Sequence, residues 1–311
     1  MRANPLNGES PMKKSITIAV VLWTFASVAM AGDGSSTAGF LNLPSSSRLA
    51  GMGEAGLASV EGSQGLGVNP ASLGRLKGQW VGLTHGLYVD ESSLEDLTYA
   101  RATSLGGFGV GVRYFSAGKI DELDTAGATV GSFTPSDLAL TAGYGRALKY
   151  VKVGGAVKYI RSKLVDSANA LTVDLGIESN PLLRKKLRLA LVGQNLIGSL
   201  KYETEKSDLP RILRAGGTYS VKGQWDVAVD LGFPKDGDTE WSLGTEYRLK
   251  MAEPWGVALR TGYNSRRADV SGGEGFALGL GVKRNKMTVD YAYVPFGDIG
   301  STHWISLGWA W

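Results

Sequence analysis

The chain has 311 residues, with 33 Lys and Arg against 29 Asp and Glu, and it contains no cysteine. A net charge of +4 gives no reason to expect nucleic acid as a partner. The absence of cysteine excludes a disulfide framework, thiol catalysis and thiolate metal sites. An apolar content of 43% is compatible with a membrane barrel, because half of its strand residues face inward.

The first 31 residues have the pattern of a bacterial export signal. Met12-Lys13-Lys14 forms a basic start, an apolar run extends from Ile16 to Val28, and Ala29-Met30-Ala31 is a small-x-small cleavage site. The apolar run is shorter than the roughly 20 residues that a spanning helix needs. We therefore predict that residues 1–31 are an N-terminal extension and signal peptide, with translation starting at Met12 and cleavage after Ala31.

Period-two alternation dominates the sequence after residue 77. Fourteen runs of about nine or ten residues alternate in this way, and each is long enough to be a tilted membrane strand. The runs are Gln79–Tyr88, Leu94–Thr103, Gly106–Ser116, Asp137–Ala147, Val151–Ser162, Asn169–Glu178, Lys186–Gln194, Arg211–Val221, Gln224–Phe233, Glu240–Leu249, Trp255–Asn264, Gly275–Lys283, Lys286–Val294 and His303–Trp311.

Connection lengths alternate as well, being short after even-numbered runs and mostly long after odd-numbered ones. This asymmetry is typical of outer-membrane barrels, which have short periplasmic turns and longer extracellular loops. The last run places Trp309 and Trp311 on its apolar face, and we interpret this aromatic ending as an assembly signal. By itself the ending also fits a strand of a soluble sandwich. Together these patterns predict an all-β, transmembrane antiparallel β-barrel of about fourteen strands over residues 77–311, located in the outer membrane in contact with its lipid.

The alternation assigns each strand a lipid face and a lumen face. Val229 and Leu259 fall on the lipid face, so a charge there should block membrane assembly, whereas Ala228 and Ala258 should tolerate one. The charges on the lumen face either line a passage or pair to hold a plug. The predicted lumen charges are Asp174, Arg188, Arg214, Asp226, Asp230, Glu246, Arg248, Arg260 and Asp290.

Residues 32–76 precede the first strand and are predicted to plug the lumen. They are rich in Gly, Ser and Ala, yet they contain spaced apolar residues such as Phe40, Leu49 and Leu57. The alternative is a disordered periplasmic tail, which would have little use for these residues. Within the segment, Asn69-Pro70-Ala71 is a turn signal, because the residue before a proline avoids the helical region.

No arrangement of residues predicts catalysis, a cofactor or a metal. His85 and His303 lie on the first and last strands without further ligands nearby, and Ser306, three residues beyond His303, falls on the opposite face of its strand. The acidic stretch at Asp121, Glu122 and Asp124 could form a loose calcium loop or simply a solvated acidic loop. We therefore predict a non-enzymatic protein.

The chain resembles the PorV/PorQ family of outer-membrane proteins, which is similar in fold to FadL-type channels for hydrophobic compounds. The resemblance covers residue 37 to the end, and its motifs are recognised by their order and spacing. They are Phe40-Leu41, Arg48 to Ala55, Asn69-Pro70-Ala71, Val157 to Ile160, Gly193 to Leu196, Leu209-Pro210 with Arg214 and Gly216, Leu243 to Tyr247, Arg260 to Tyr263, Asp290 to Tyr293 and Gly297 to Gly300.

The resemblance implies a fourteen-stranded plugged barrel that assists secretion or surface attachment of exported proteins. It also implies that the turn at Asn69, Pro70 and Ala71 seats the N-terminal segment at the barrel wall. Its partners would be exported cargo or a type IX secretion or sortase complex, bound at the two longest loops, 117–136 and 195–210. Two alternatives stay open: a FadL-like channel for a hydrophobic small molecule, and a structural anchor of an envelope complex. The assignable lumen positions are small or charged, so the sequence predicts no apolar pocket for a transported molecule.

Overall fold

A computed structural model describes most of the chain after residue 36. The predicted signal peptide and Asp124 lie outside the described residues. Within those residues, every helix is too short or too polar to cross a membrane. The described ranges are 37–89, 91–123, 129–164, 166–202, 205–268 and 275–311.

Fourteen antiparallel strands form one closed barrel, which confirms the predicted fold class. The first and last strands close it, with Trp80 opposite Ala310 and Leu87 opposite His303. The barrel strands are β1 (Gln79–Leu87), β2 (Ser93–Thr103), β3 (Gly106–Ser116), β6 (Ser136–Ala147), β7 (Val151–Lys163), β8 (Ser167–Ser179), β9 (Leu187–Gln194), β12 (Ile212–Val221), β13 (Trp225–Pro234), β14 (Glu240–Lys250), β15 (Trp255–Asn264), β16 (Phe276–Arg284), β17 (Met287–Pro295) and β18 (Ser301–Ala310).

The remaining elements of the barrel region lie in loops that the sequence pattern left without structure. Loop 117–136 contains a hairpin of β4 (Ile120–Leu123) and β5 (Thr129–Phe133). Loop 195–210 contains a second hairpin, of β10 (Ser199–Tyr202) and β11 (Glu205–Asp208). A short helix, α2 (Ser265–Ala268), follows β15.

The two ends of the barrel differ in their connections. We call the end that carries both hairpins and α2 the loop end, and the opposite end, where β1 begins and β18 finishes, the turn end. At the turn end the connections are short, such as 104–105 between β2 and β3 and 285–286 between β16 and β17. The length asymmetry predicted from the sequence is therefore present.

Side chains alternate across the wall as the pattern predicts. On β15 the Leu259 side chain is 48% exposed on the outer face, whereas its neighbour Arg260 is 7% exposed and lies inside. On β13, Trp225 and Val229 are exposed while Asp226 is buried. The outer face is apolar because it consists of such residues, and charged residues are collected inside.

Residues 37–76 fill the lumen, and we call this segment the plug. It starts at the loop end, where the Thr37 backbone N–H donates to the Asp208 carbonyl at 3.1 Å, and it leaves at the turn end to begin β1. Near the loop end, Phe40 and Leu41 pack against wall and hairpin residues, including Ile160. Its elements are a 3-10 helix (Gly39–Asn42), α1 (Ser47–Gly51) and two further 3-10 helices (Gly62–Gly67 and Pro70–Arg75).

Candidate functional site

Glu246 on β14 joins the plug to the wall by ion pairs. Its Oε2 accepts from Arg48 Nε of α1 at 2.8 Å and from Arg260 Nε of β15 at 2.7 Å. Its Oε1 accepts from Arg248 Nε at 3.0 Å. One buried carboxylate therefore binds three guanidinium groups, one from the plug and two from the wall.

Further ion pairs along the wall extend this cluster, and its positive and negative charges are equal in number. Arg260 also donates to Asp290 Oδ1 at 2.7 Å, and Arg248 pairs with Asp226. Three arginines thus face three carboxylates, and five of the nine predicted lumen charges meet here. Each of these five charges is paired, and Arg48 of the plug takes part in the pairing.

The other predicted lumen charges lie apart from this cluster. Asp230 accepts from the plug backbone, from Gly56 N at 2.7 Å and Leu57 N at 2.8 Å. Asp174 of β8 pairs with Lys158 of β7 at 2.6 Å and also accepts from the Asn195 backbone N–H at 2.8 Å. Arg188 and Arg214 are partly buried and form no ion pair with another described residue. Asp230 therefore fixes the plug backbone, whereas Asp174 joins neighbouring parts of the wall.

The predicted turn at Asn69-Pro70-Ala71 lies against the wall. The Asn69 side chain is fully buried, and its Oδ1 accepts from Ala71 N at 3.1 Å, which begins the 3-10 helix that follows. Pro70 passes so close to the wall that a Cβ on Gly154 would lie 2.4 Å from the Pro70 carbonyl carbon. The wall is glycine at this point because the plug backbone takes up the space of a side chain.

A second glycine contact allows a direct test of this packing. A Cβ on Gly262 would lie 2.0 Å from the Met52 carbonyl carbon, whereas on the same strand Gly256 has Lys283 Cβ at 3.8 Å as its nearest neighbour. We expect Gly262→Ala to lower the free energy of unfolding by about 1–3 kcal/mol through overpacking. Urea titration of the purified barrel measures this, with Gly256→Ala as the control that should stay close to wild type. Equal free energies of unfolding for the two variants would show that the plug backbone does not pack this closely against Gly262.

Two plug contacts involve residues that the sequence interpretation did not select. Arg113 of β3 pairs with Asp96 at 2.7 Å and also donates from Nη1 to the Leu43 carbonyl of the plug at 3.1 Å. At the turn end, Arg75 of the plug pairs with Glu178 of β8. Arg113 and Glu178 both lie at inward-facing positions of their strands, so the period-two alternation could have identified them.

A pocket of about 320 Å³ lies at the loop end beside the plug, and we call it the mouth pocket. One side is aromatic, because the Tyr88 ring packs edge-on against Phe296 at 5.4 Å and against Trp304 at 6.3 Å between centroids. Trp304 is 1% exposed, and its Nε1 donates to Thr302 Oγ1 at 3.0 Å. The lining of the mouth pocket consists of Gly39, Asn42, Leu43, Pro44, Glu54, Tyr88, Arg266, Arg267, Val294, Phe296, Thr302 and Trp304.

The opposite side of the mouth pocket is charged. Arg266 Nη2 of α2 pairs with Glu54 Oε2 of the plug at 2.9 Å, and this carboxylate raises the pKa of the Arg266 guanidinium. Arg267 lies next to it in the same lining. Burial raises the pKa of the Tyr88 hydroxyl, so this group is neutral at physiological pH. The pocket therefore combines an aromatic wall with two cations and one anion.

The predicted lack of an apolar pocket is therefore wrong at the loop end. Phe296 lies in the loop just beyond β17, outside the alternating runs. Trp304 is a large residue on the lumen side of β18, where its neighbours Ser306 and Gly308 are small. Tyr88, the last residue of the first predicted run, has the same parity as the buried residues Thr84 and Gly86. Large residues at these two inward positions were the available sequence signal.

A second cavity, of about 360 Å³, lies toward the turn end, and half of its lining residues are polar or charged, including Arg48, Glu61 and Lys283. Between the two cavities the plug meets β18 through hydroxyl groups. Ser47 Oγ and Ser306 Oγ are 2.8 Å apart, and Thr84 Oγ1 lies 2.9 Å from the same Ser306 oxygen.

The two histidines lie on the outer wall in separate contacts. His85 Nδ1 is 2.5 Å from Glu95 Oε1, and His303 Nδ1 is 2.8 Å from the Tyr291 hydroxyl. In the acidic loop, Asp121 pairs with Lys119 at 3.5 Å. Across the described ranges, groups of three His, Asp or Glu side chains suited to a metal ion do not occur.

Comparison with known proteins gives matches at the level of solved structures. No family model matches the chain, and no curated protein matches it. The toluene transporter TbuX of Ralstonia pickettii superposes with a TM-score of 0.57 at 13% identity, covering 86% of this chain and 98% of that one. The fold is FadL-like.

Two further FadL-like structures agree with this assignment. The toluene transporter TodX of Pseudomonas putida has a TM-score of 0.55 at 11% identity, covering 90% of this chain and 98% of that one. CymD, a monoaromatic hydrocarbon channel, has a TM-score of 0.55 at 14% identity, covering 86% of this chain and 97% of that one. The barrel thus resembles Gram-negative outer-membrane channels over almost their full length.

Proposed function

We propose that this protein is a non-enzymatic outer-membrane channel that admits hydrophobic small molecules through the mouth pocket. The observation that carries the proposal is the aromatic pocket itself, in which Tyr88, Phe296 and Trp304 surround space at one end of a plugged barrel. Concave sites with mostly apolar lining and a few polar groups are the usual form of small-molecule sites. The FadL-like fold, shared with channels for toluene and other monoaromatic hydrocarbons, supports this function.

The proposal includes an orientation and a division of the chain. Short turns face the periplasm in outer-membrane barrels, so the turn end is periplasmic and the mouth pocket faces outward. Residues 1–31 would be removed as signal peptide, residues 32–76 would form the plug, and residues 77–311 the barrel. Asn69, Pro70 and Ala71 would seat the plug, and Trp309 and Trp311 would serve assembly.

The route through the lumen would follow β18. Trp304 lines the mouth pocket, Gly308 lines the cavity toward the turn end, and Ser306 lies between them. The plug contacts Ser306 by neutral hydrogen bonds, whereas it contacts β14 by ion pairs. Neutral hydrogen bonds are the weaker of the two kinds. A small shift of the plug away from β18 would therefore join the two cavities while the ion pairs hold the other side.

Uptake of radiolabelled toluene by a Gram-negative host expressing the protein tests this function. We expect Phe296→Asp, which replaces one ring of the aromatic wall by a hydrated carboxylate, to lower protein-dependent uptake by about tenfold, since covering a polar group with an apolar ligand is costly. Ile197→Asp, an exposed loop residue outside the pocket, is the matched control and should transport normally. Barrel assembly is checked by heat-modifiable migration. Wild-type cells that take up no more toluene than cells without the protein would refute the channel.

A role of the PorV/PorQ type is the second candidate, and it is supported by the motif resemblance described above. Gentle affinity purification from the native outer membrane separates the two functions. Exported proteins or secretion components in stoichiometric amounts would favour the secretion role, and a structural anchor would likewise retain envelope proteins. An enriched hydrophobic small molecule without a protein partner would favour the channel.

A further inference from the structure

We propose that the mouth pocket binds a compact aromatic carboxylate, with the carboxylate on Arg267 and the ring against Tyr88, Phe296 and Trp304. This inference rests on the proposed channel function and names its substrate class. Arg267 is 4% exposed, and its Nε and Nη2 atoms have no hydrogen-bond partner among the described residues. A buried polar group without a partner is costly, and such groups in native structures call for an explanation.

The two unpartnered atoms can hold one carboxylate when the Arg267 side chain turns them toward the pocket, since in the structure both are closed off from solvent. Nε and Nη2 of a guanidinium point their N–H groups to the same side, and their spacing fits the two oxygens of one carboxylate. An uncharged ligand has no pair of anionic oxygens to accept these bonds. Burial lowers the pKa of Arg267 from its ordinary value, and the Glu54 carboxylate opposes this shift only in part.

The neighbouring charges do not neutralise Arg267. Glu54 Oε2 lies 2.9 Å from Arg266, and Glu240 Oε2 lies 4.0 Å from the same guanidinium. Within the part of the chain that the structure describes, no carboxylate forms an ion pair with Arg267. Both nearby carboxylates thus pair with Arg266, and Arg267 forms no ion pair of its own in the lining of the mouth pocket.

The volume and the aromatic lining of the pocket favour a ring over a long chain. A cavity of about 150 Å³ holds benzene, so a pocket of about 320 Å³ has room for one or two fused rings and a carboxylate. The rings of Tyr88, Phe296 and Trp304 offer edges and faces for aromatic contacts. The FadL-like neighbours named above are channels for uncharged hydrocarbons by their descriptions, so this substrate class would distinguish the present chain from them.

Equilibrium dialysis with the purified full-length barrel in amphipol tests the inference. The probes are 2-naphthoate, its uncharged isostere 2-naphthamide, and dodecanoate as a long-chain carboxylate. We expect naphthoate to bind at least about tenfold more tightly than naphthamide, since hydrogen bonds to charged groups are the stronger ones. Arg267→Gln should remove this difference, and Arg267→Lys should restore part of it, because lysine keeps the charge but loses the paired donors.

Arg211→Gln is the matched control, because Arg211 lies at the same end, has an unpartnered Nε and lines a different cavity. It should bind naphthoate as wild type does. Equal binding of naphthoate and naphthamide, unchanged binding by Arg267→Gln, or a preference for dodecanoate would each overturn the inference. Uptake assays separate the two claims: naphthoate binding without uptake refutes the channel alone, whereas uptake of neutral aromatics without a carboxylate preference refutes this inference alone.

Discussion

Replacing Glu246 by glutamine is expected to lower the free energy of unfolding by about 3–5 kcal/mol, the usual cost of removing one member of a buried ion-pair group. Glu246 Oε2 is the acceptor for both Arg48 and Arg260, so the neutral amide leaves two buried guanidiniums with less compensation. Asp290 still pairs with Arg260, but Arg48 of the plug has no second carboxylate partner among the described ion pairs. The loss should therefore fall mainly on the plug.

Chemical unfolding of the purified barrel measures the change in free energy, and planar-bilayer recording measures whether the plug has loosened. Glu246→Gln should show a higher ion conductance than wild type, because the plug is held less firmly at β14. Asp208→Asn is the control: its carboxylate pairs with Lys235 at 2.6 Å but is 38% exposed, so the pair is worth only about 0–1 kcal/mol. A Glu246→Gln protein with wild-type stability and conductance would show that the plug does not depend on this ion pair.

Leu259→Lys is expected to block membrane assembly. Leu259 lies halfway along β15 with its side chain on the apolar outer face, where a lysine near mid-membrane costs about 2–4 kcal/mol. The substitution leaves the lumen, the plug and the ion-pair cluster untouched. The yield of heat-modifiable protein in the outer-membrane fraction is the measurement.

Ala258→Lys is the matched control for this substitution. Ala258 is the adjacent residue on β15 and lines the polar cavity toward the turn end, which also contains Glu61 and Asp290. The sequence pattern made Ala228 an equivalent control, but Ala228 packs against Met52 and Ala55 of the plug and has no room for a lysine. Equal assembly of the two lysine variants would show that the assignment of faces is wrong.

The barrel could be predicted from the sequence because its two physical constraints repeat in every strand. Lipid outside and a crowded interior impose an alternation of period two, and fourteen runs were enough to define strand number and faces. The β4–β5 and β10–β11 hairpins were not predicted, because they are short and lie in loops, where neither constraint applies. The lumen charges were identifiable for the same reason as the strands, but their pairing required the plug in three dimensions.

The mouth pocket is harder to predict because its residues come from separate parts of the chain. Tyr88 and Phe296 follow β1 and β17, Arg267 lies in a short helix after β15, and Glu54 belongs to the plug. Only Tyr88 belongs to an alternating run, as the last residue of the first one, so no periodic signal marks the other three. Their proximity is a result of barrel closure, which brings β1 and β17 to either side of β18.

The placement of the plug also constrains how the chain can reach its final state. Ser47 near the start of the plug binds Ser306 on the last strand, across a separation of 259 residues. Contacts of such high sequence separation form late, since the intervening chain must first be ordered. The last strand to be synthesised, β18, therefore both closes the barrel against β1 and encloses the plug. A chain truncated before β18 would keep most of its wall, yet it would be an open sheet with its plug unenclosed.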